Sequence, residues 1–298
     1  MSAIKSVGVI GIGMMGHGLA KNIQLKGFEL KVLDSNPNAY ADLVEKGAVA
    51  AANPAELAET CDAVVICVGT RETVEALTFG ENGLLAGLTP GTAIIDASTT
   101  DPVTTARVSA AVLEKGGIFA DAPMTRTPKE AEEGRLNTMV GADDATLAAI
   151  RPVLEAYAEN IFHVGGIGAG HTLKLINNFI LLGTASVLGE AVATAKKSGV
   201  DPAKILEVCS KGAANSNILQ MTMPYALEGD DSAMQFSLAN AKKDLRYYES
   251  LAASVDASAT VTGAVVQHFM NAINQGMGDE FVPVIFDAIA GLSGIEKK

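Results

Sequence analysis

Basic residues are scarce in this chain. Lys and Arg number 22 against 34 Asp and Glu, for a formal net charge of -12. Nucleic acid or an anionic membrane surface calls for a basic face, so neither is expected as a partner. Cysteine is scarce too. Cys61, Cys67 and Cys209 are odd in number, and none stands at metal-ligand spacing from another. Reduced thiols are therefore expected, with no disulfide framework. No cluster of His, Cys or carboxylates has metal spacing, which argues against a metal site. A Gly-x-Ser-x-Gly elbow is absent, and no Cys–His pair stands out. There is no secretory signal, since a strand-like run opens at Ser6, and the expectation is a cytoplasmic protein. Polar residues break the longest apolar runs, which predicts no membrane span. Tryptophan, internal repeats and low-complexity tracts are missing as well.

What is present is a large supply of core. Hydrophobic residues make up 48% and charged residues 19% of 298 positions, which excludes a disordered chain. That length suits one large domain or two ordinary ones. Up to about residue 165, short β-rich runs alternate with helical ones. The runs are Val7–Gly11, Leu30–Leu33, Ala63–Val68, Ala93–Asp96, Ile118–Asp121, Asn137–Val140 and Ile161–Val164. Helical patterns such as Met15–Lys26, Asn38–Lys46 and Thr104–Lys115 lie between them. The alternation predicts an α/β fold with a Rossmann-type, doubly wound parallel sheet. Beyond Gly166 helical periods dominate: Gly168–Lys196, Pro202–Lys211, Asn217–Leu227, Phe236–Val255, Val261–Gln275 and Val282–Leu292. The expected division is a dinucleotide-binding domain over 1–165 and an all-α substrate and oligomerisation domain over 166–298. The long first helix would link them.

Gly11-Ile-Gly13-Met14-Met15-Gly16 follows the first strand and opens the first helix. Glycines there permit a tight turn and close approach of backbone to a pyrophosphate, and the helix N-terminus favours its charge. Asp34 follows about 20 residues on, at the end of the second strand, where a carboxylate accepts from ribose hydroxyls. As an isolated residue Asp34 also reads as a turn or helix cap. A carboxylate repels a 2′-phosphate, and Asp34-Ser-Asn-Pro-Asn offers no arginine to hold one. NAD(H) is therefore expected in preference to NADP(H).

A second feature lies in Gly168-Ala-Gly-His-Thr-Leu-Lys-Leu-Ile-Asn-Asn. It puts Lys174 early in a long apolar helical segment, with Asn177 and Asn178 three and four residues on, on the same helix face. A lysine on such a face is costly unless it is paired, used for proton transfer, or snorkels to solvent.

Several motifs then occur in one order. They are Val9-Ile-Gly-Ile-Gly-Met-Met-Gly, Asp96-Ala-Ser-Thr, Asp121-Ala-Pro, Gly134 with Met139-Val-Gly, Gly168-Ala-Gly with Lys174-Leu-Ile-Asn-Asn, and Lys243-Asp-Leu. Together they resemble the β-hydroxyacid dehydrogenases, which include 3-hydroxyisobutyrate dehydrogenases and tartronate semialdehyde reductases, over nearly the whole chain. The resemblance implies a Rossmann domain, a helical domain, and an active site between them. It implies NAD(P)-linked interconversion of a β-hydroxy acid and its aldehyde or ketone. It makes Lys174 the catalytic acid/base, with Asn177 and Asn178 orienting the lysine or substrate. An ammonium bonded to the carbonyl oxygen stabilises and protonates it as hydride arrives. Ser98 is implied at the substrate. The implied cofactor set is Gly11, Gly13, Met14, Met15, Gly16, Asp34, Val68, Thr99, Lys243 and Asp244. Taken alone, Ser98-Thr99 also reads as a strand-end turn and Lys243-Asp244 as a solvated helix face.

The chain departs from the family after Asp121-Ala-Pro. A small residue and Ser-Gly-Gly usually follow; here the text is Met124-Thr125-Arg126-Thr127. A guanidinium adds strong paired donors for an oxyanion. The change resembles the sulfolactaldehyde reductases of the same family, whose Gly-Arg-Thr loop holds a sulfonate. Thr125, Arg126 and Thr127 are thus expected to hold the substrate's acid group, carboxylate or sulfonate. The alternative is that Arg126 pairs with Glu130, Glu132 or Glu133 and stiffens the loop. His17 either faces the pyrophosphate or lies exposed on the first helical turn. Two further readings differ in class: a nucleotide-binding sensor or scaffold without turnover, and an imine reductase of the same fold. Retention of Lys174 argues against both. Self-association as a dimer or tetramer is expected from the apolar helical half and from the family.

Overall fold

The computed structural model describes residues 3–295. The chain divides into two compact units between Lys174 and Leu175.

The first unit is built on a nine-stranded sheet. Its strands are β1 (Ser6–Ile10), β2 (Glu29–Leu33), β3 (Val49–Ala50), β4 (Ala63–Ile66), β5 (Ala93–Asp96), β6 (Ile118–Asp121), β7 (Met124–Thr125), β8 (Leu136–Gly141) and β9 (Ala158–Gly165). Order β3-β2-β1-β4-β5-β6 is parallel throughout. β4 and β5 are buried at every position, which is why they read as unbroken Val/Ile/Ala runs. The sheet is not parallel to its edge. β8 runs antiparallel to β6 and to the two-residue β7, while β9 lies parallel along the other side of β8.

Helices cover the sheet: α1 (Gly16–Leu25), α2 (Ala41–Glu45), α3 (Pro54–Thr60), α4 (Arg71–Phe79), α5 (Leu84–Gly87), α6 (Pro102–Glu114), α7 (Pro128–Glu132) and α8 (Asp144–Tyr157). Local chemistry sets their starts. Asn53, Thr70, Asp101 and Asp143 each accept from a backbone amide in the first turn, and proline follows Asn53 and Asp101. One core, including Val7, Val9, Leu19 and Ile23, packs on one face. A second, including Val64, Ile66, Ile94 and Phe119, packs on the other.

One helix, α9 (Ala169–Lys197), runs through the division between the units. By length and composition it is apolar enough to cross a bilayer, which corrects the expectation drawn from the broken apolar runs. Leu182, Ala185, Val192 and Ala193 on it instead belong to the core of the second unit. That unit adds α10 (Ala203–Cys209), α11 (Asn217–Glu228), α12 (Leu238–Ser254), α13 (Thr260–Asn274) and α14 (Ile285–Leu292). The helix expected from Val282 begins as a 3-10 turn, Val282–Val284, before α14.

Candidate active site

The turn after β1 is shaped by its glycines. Gly11 has φ +89°, and a Cβ there would overlap the Cys67 carbonyl. A Cβ on Gly16 would overlap the Gly11 carbonyl, so α1 starts directly against the loop. Gly13 is different: nothing lies within 4 Å of where its Cβ would stand. Met14 is 62% exposed beside that space. No side chain caps α1, which leaves first-turn N–H groups for an anion. Asp34 Oδ2 accepts from the Ile12 amide at 2.6 Å, and Oδ1 accepts from the Asn36 amide at 2.8 Å. A carboxylate is thus fixed beside an open, amide-lined cradle, and these residues fit a dinucleotide. Val68, just beyond β4, donates its amide to Ser98 Oγ at 3.1 Å.

His17 turns away from the role considered for it. Its Nδ1 lies 2.6 Å from Glu132 and its Nε2 3.0 Å from Asp42, so it clamps α1 to α7 and α2. Burial alone would lower its pKa, but the hydrogen bonds its ring donates to the Glu132 and Asp42 carboxylates outweigh that and raise it. A histidine with a raised folded pKa adds stability that is fully present below its unfolded value and lost as pH rises through the folded one. The unfolding midpoint is therefore expected to fall as pH rises through and above the ordinary histidine range. His17→Gln should flatten that stretch of a thermal-melt series. An equally steep fall in the variant would assign it to other groups.

The carboxyl ends of β5 and β6 carry the next residues. Ser98 is 3% exposed, and its hydroxyl donates to the Ile66 carbonyl at 3.4 Å as well as meeting Val68. It ties two strand ends together, and Thr99 beside it is the more accessible of the pair. Burial raises the pKa of Asp96, against the pull of His171 and the Ser98 amide. Arg71 pairs with Glu72 at 2.9 Å and with Asp101, the cap of α6, at 3.2 Å.

Lys174 meets the loop that carries the family departure. Its Nζ donates to the Met124 carbonyl at 2.7 Å. Thr125 follows in β7, its hydroxyl accepting from Asn137 Nδ2 at 3.3 Å. Arg126 has φ +84°, a left-handed conformation that favours glycine. Its Nη1 donates to the Arg135 carbonyl and pairs with the Glu159 carboxylate. The three acids considered for it are otherwise engaged. Glu130 accepts from the amide and hydroxyl of Thr127 at the start of α7. Glu132 holds His17 and Lys21, and Glu133 holds Arg135. Thr127 is therefore bound into a helix cap.

In the second unit, Asn177 Nδ2 donates to Asn178 Oδ1 at 3.2 Å. Asn178 is buried and donates to Asp244 Oδ2 at 2.7 Å. Lys243 Nζ lies 3.1 Å from the other Asp244 oxygen. Asp244, 3% exposed, thus orients an asparagine of α9 and a lysine of its own helix. Sequence reasoning missed Glu159 as the partner of Arg126 and Asp121 as the cap of α9. Asp121 accepts from the amides of Gly168 and His171 at 2.7 and 2.8 Å. Its place in the Asp121-Ala-Pro motif was the available signal.

Known proteins match over the same two segments. Residues 6–165 match the family described as the NAD binding domain of 6-phosphogluconate dehydrogenase. Residues 168–284 match that described as NAD-binding of NADP-dependent 3-hydroxyisobutyrate dehydrogenase. The 3-hydroxyisobutyrate dehydrogenase of Pseudomonas aeruginosa is 33% identical over 89% of this chain and 91% of its own length. The 2-hydroxy-3-oxopropionate reductase of Escherichia coli is 35% identical over 72% of this chain and 73% of its own. A structure of Mycobacterium tuberculosis 3-hydroxyisobutyrate dehydrogenase with L-serine superposes with a TM-score of 0.86 at 25% identity, covering 95% of this chain and 98% of that one. Another neighbour at 25% identity, Psf3, was solved with NADP+ and has a TM-score of 0.81, covering 94% of this chain and 98% of that one. Fold, cradle and matches define a nicotinamide-dependent oxidoreductase acting on CH–OH groups. The chain belongs to the β-hydroxyacid dehydrogenase family.

Proposed function

We propose that this enzyme interconverts a small β-hydroxy acid and its aldehyde, with NAD(H) preferred over NADP(H). The observation that carries the reading is the Lys174 ammonium held against the carbonyl of Met124, the residue that precedes Thr125 and Arg126 in the chain. A bound nicotinamide supplies or accepts the hydride. Lys174 donates a proton to the carbonyl oxygen in reduction and takes it from the hydroxyl in oxidation. Asn177 and Asn178, with Asp244 behind them, orient lysine or substrate.

Arg126 anchors the substrate's acid group, with Thr125 and Thr127 in the same loop. Only Nη1 of its guanidinium is engaged among the described residues, so Nε and Nη2 have donors left for an oxyanion. A sulfonate suits those donors as a carboxylate does, which keeps sulfolactaldehyde among the candidate substrates. Asp34, fixed by the Ile12 amide, supports NAD(H) because its charge opposes a 2′-phosphate. Gly11, Gly13, Met14, Met15 and Gly16 hold the pyrophosphate end, with Val68, Ser98 and Thr99 in the same unit; Lys243 and Asp244 join the cofactor set by their match to the family's Lys-Asp-Leu motif. Leu173, Ile176, Ile180 and Val187 form an exposed apolar stripe along α9, which supports self-association as a dimer or tetramer. The cytoplasm is the proposed location.

The test is oxidation of NADH and of NADPH against sulfolactaldehyde and the methylmalonate, succinic and tartronate semialdehydes, with glyoxylate alongside. A clear preference for one acidic aldehyde with NADH is expected. Faster turnover with NADPH would overturn the role of Asp34. Silence across the panel would favour the sensor or imine-reductase reading.

A further inference from the structure

The sheet ends in two buried carboxylates side by side. Asp96 closes β5 and Asp121 closes β6, paired in register and exposed by only 1% and 0%. Buried carboxylates are costly unless they are bonded or paired. Asp121 is satisfied by the Gly168 and His171 amides at the start of α9, and Asp96 accepts from the Ser98 amide at 3.0 Å. The His171 ring, fully buried, stands between them. Its Nε2 is 3.9 Å from Asp96 Oδ2, and its Nδ1 is 4.0 Å from Asp121 Oδ2. The same Nδ1 lies 2.7 Å from Thr105 Oγ1 and 3.0 Å from Thr100 Oγ1. One ring thus joins β5, β6, the turn after Ser98-Thr99, and α6 to the first turn of α9. Lys174 follows three residues later on that helix, one turn on.

We propose that His171 is a positioning residue for Lys174. It fastens the N-terminal turn of α9 to the segment from Ser98 to Thr105, so that the ammonium keeps its place at the Met124 carbonyl. A histidine whose only task is packing needs one partner per ring nitrogen. This one gathers two hydroxyls and faces two carboxylates from separate elements. An apolar residue would leave Asp96 and both threonines facing a gap. The inference rests on the acid/base reading of Lys174.

The test compares His171→Leu, His171→Asn, Thr105→Val and the His171→Leu/Thr105→Val double variant in the full-length enzyme. The readouts are kcat and KM for the aldehyde turned over fastest in the panel, NADH affinity by fluorescence, and hydrogen exchange over residues 166–176. Misplacement by about 1 Å costs about 100-fold in rate, and that loss of kcat is expected for His171→Leu, with KM and NADH affinity within about threefold. Exchange over 166–176 should rise in the same variant. Thr105→Val should lose about tenfold, and the double variant should be no worse than His171→Leu, because both break one tie. Asn, which keeps a polar atom near the Nδ1 position, should recover most of the rate. A kcat for His171→Leu within about twofold of the parent, or additive losses in the double variant, would overturn the proposal. Should His171→Leu not fold, an unchanged kcat and unchanged exchange in Thr105→Val would overturn it instead. Lys174→Ala separates the two readings. If it is inactive while His171→Leu is normal, only the positioning role falls; if it is active, the acid/base role falls first.

Discussion

Lys174→Ala is expected to lower kcat by at least about 1,000-fold while NADH affinity stays within about twofold. The size follows from two contributions removed at once: proton transfer, and the cation beside the oxygen on which charge develops. Cofactor affinity should survive because the cradle is built elsewhere in the chain. Gly11 and Gly16 shape it by backbone contact, and Asp34 is fixed by Ile12. Stopped-flow reduction and NADH fluorescence titration read the two quantities separately. A parallel loss of NADH binding would make the lysine structural. Lys174→Arg sharpens the test. It keeps the cation but does not give up a proton near neutral pH, so activity well below the parent would assign the larger share to proton transfer.

Much of the first unit was legible because its signals are local. Parallel central strands are buried on both faces, so β4 and β5 read as apolar runs in any context. The Gly11–Gly16 turn is recognisable because its glycines recur at a fixed spacing between a strand and a helix, and Asp34 because it stands about 20 residues on, at the end of the next strand. The start of α6 was read two residues late, at Thr104, although Asp101-Pro102 carries its own cap. The order of motifs along the chain then set the family.

What was not legible depends on pairings distant in sequence. Glu159 meets Arg126 from a strand 33 residues away, whereas three acids close to Arg126 in sequence are all drawn to other partners. His171 is legible only as a residue one turn before Lys174, because the carboxylates it faces come from strand ends far earlier in the chain. Burial of Ser98 and Asp244 is likewise a property of packing rather than of their motifs, which name the residues without saying which way they point. The reversal at β8 was hidden too. It depends on β7, a two-residue strand too short to show any period.

Arg126→Ala and Arg126→Gly are expected to separate substrate binding from backbone strain. Removing a charged donor from a bound anion costs about 1.5–3 kcal/mol, so both variants should raise KM for the acidic aldehyde by about 10- to 150-fold. NADH affinity should not move in either. Stability should move differently. At φ +84° a residue with a Cβ is strained by about 1–2 kcal/mol, and glycine is not. Both variants lose the partly exposed pair with Glu159, which contributes at most about 1 kcal/mol. In urea unfolding the glycine variant should therefore be more stable than the alanine variant by about 1 kcal/mol, although the two bind substrate equally poorly. On the proposed role of Arg126, the Glu159 carboxylate on Nη1 offsets the guanidinium's charge and repels an incoming acid group. Glu159→Gln removes that charge while keeping a polar side chain, and should lower KM. A KM unchanged in all three variants would take Arg126 out of the substrate site and leave it as a surface tie between β7 and β9. Equal stability of the alanine and glycine variants would show that the loop relaxes once the arginine is gone, so that its strained backbone exists only to aim that side chain.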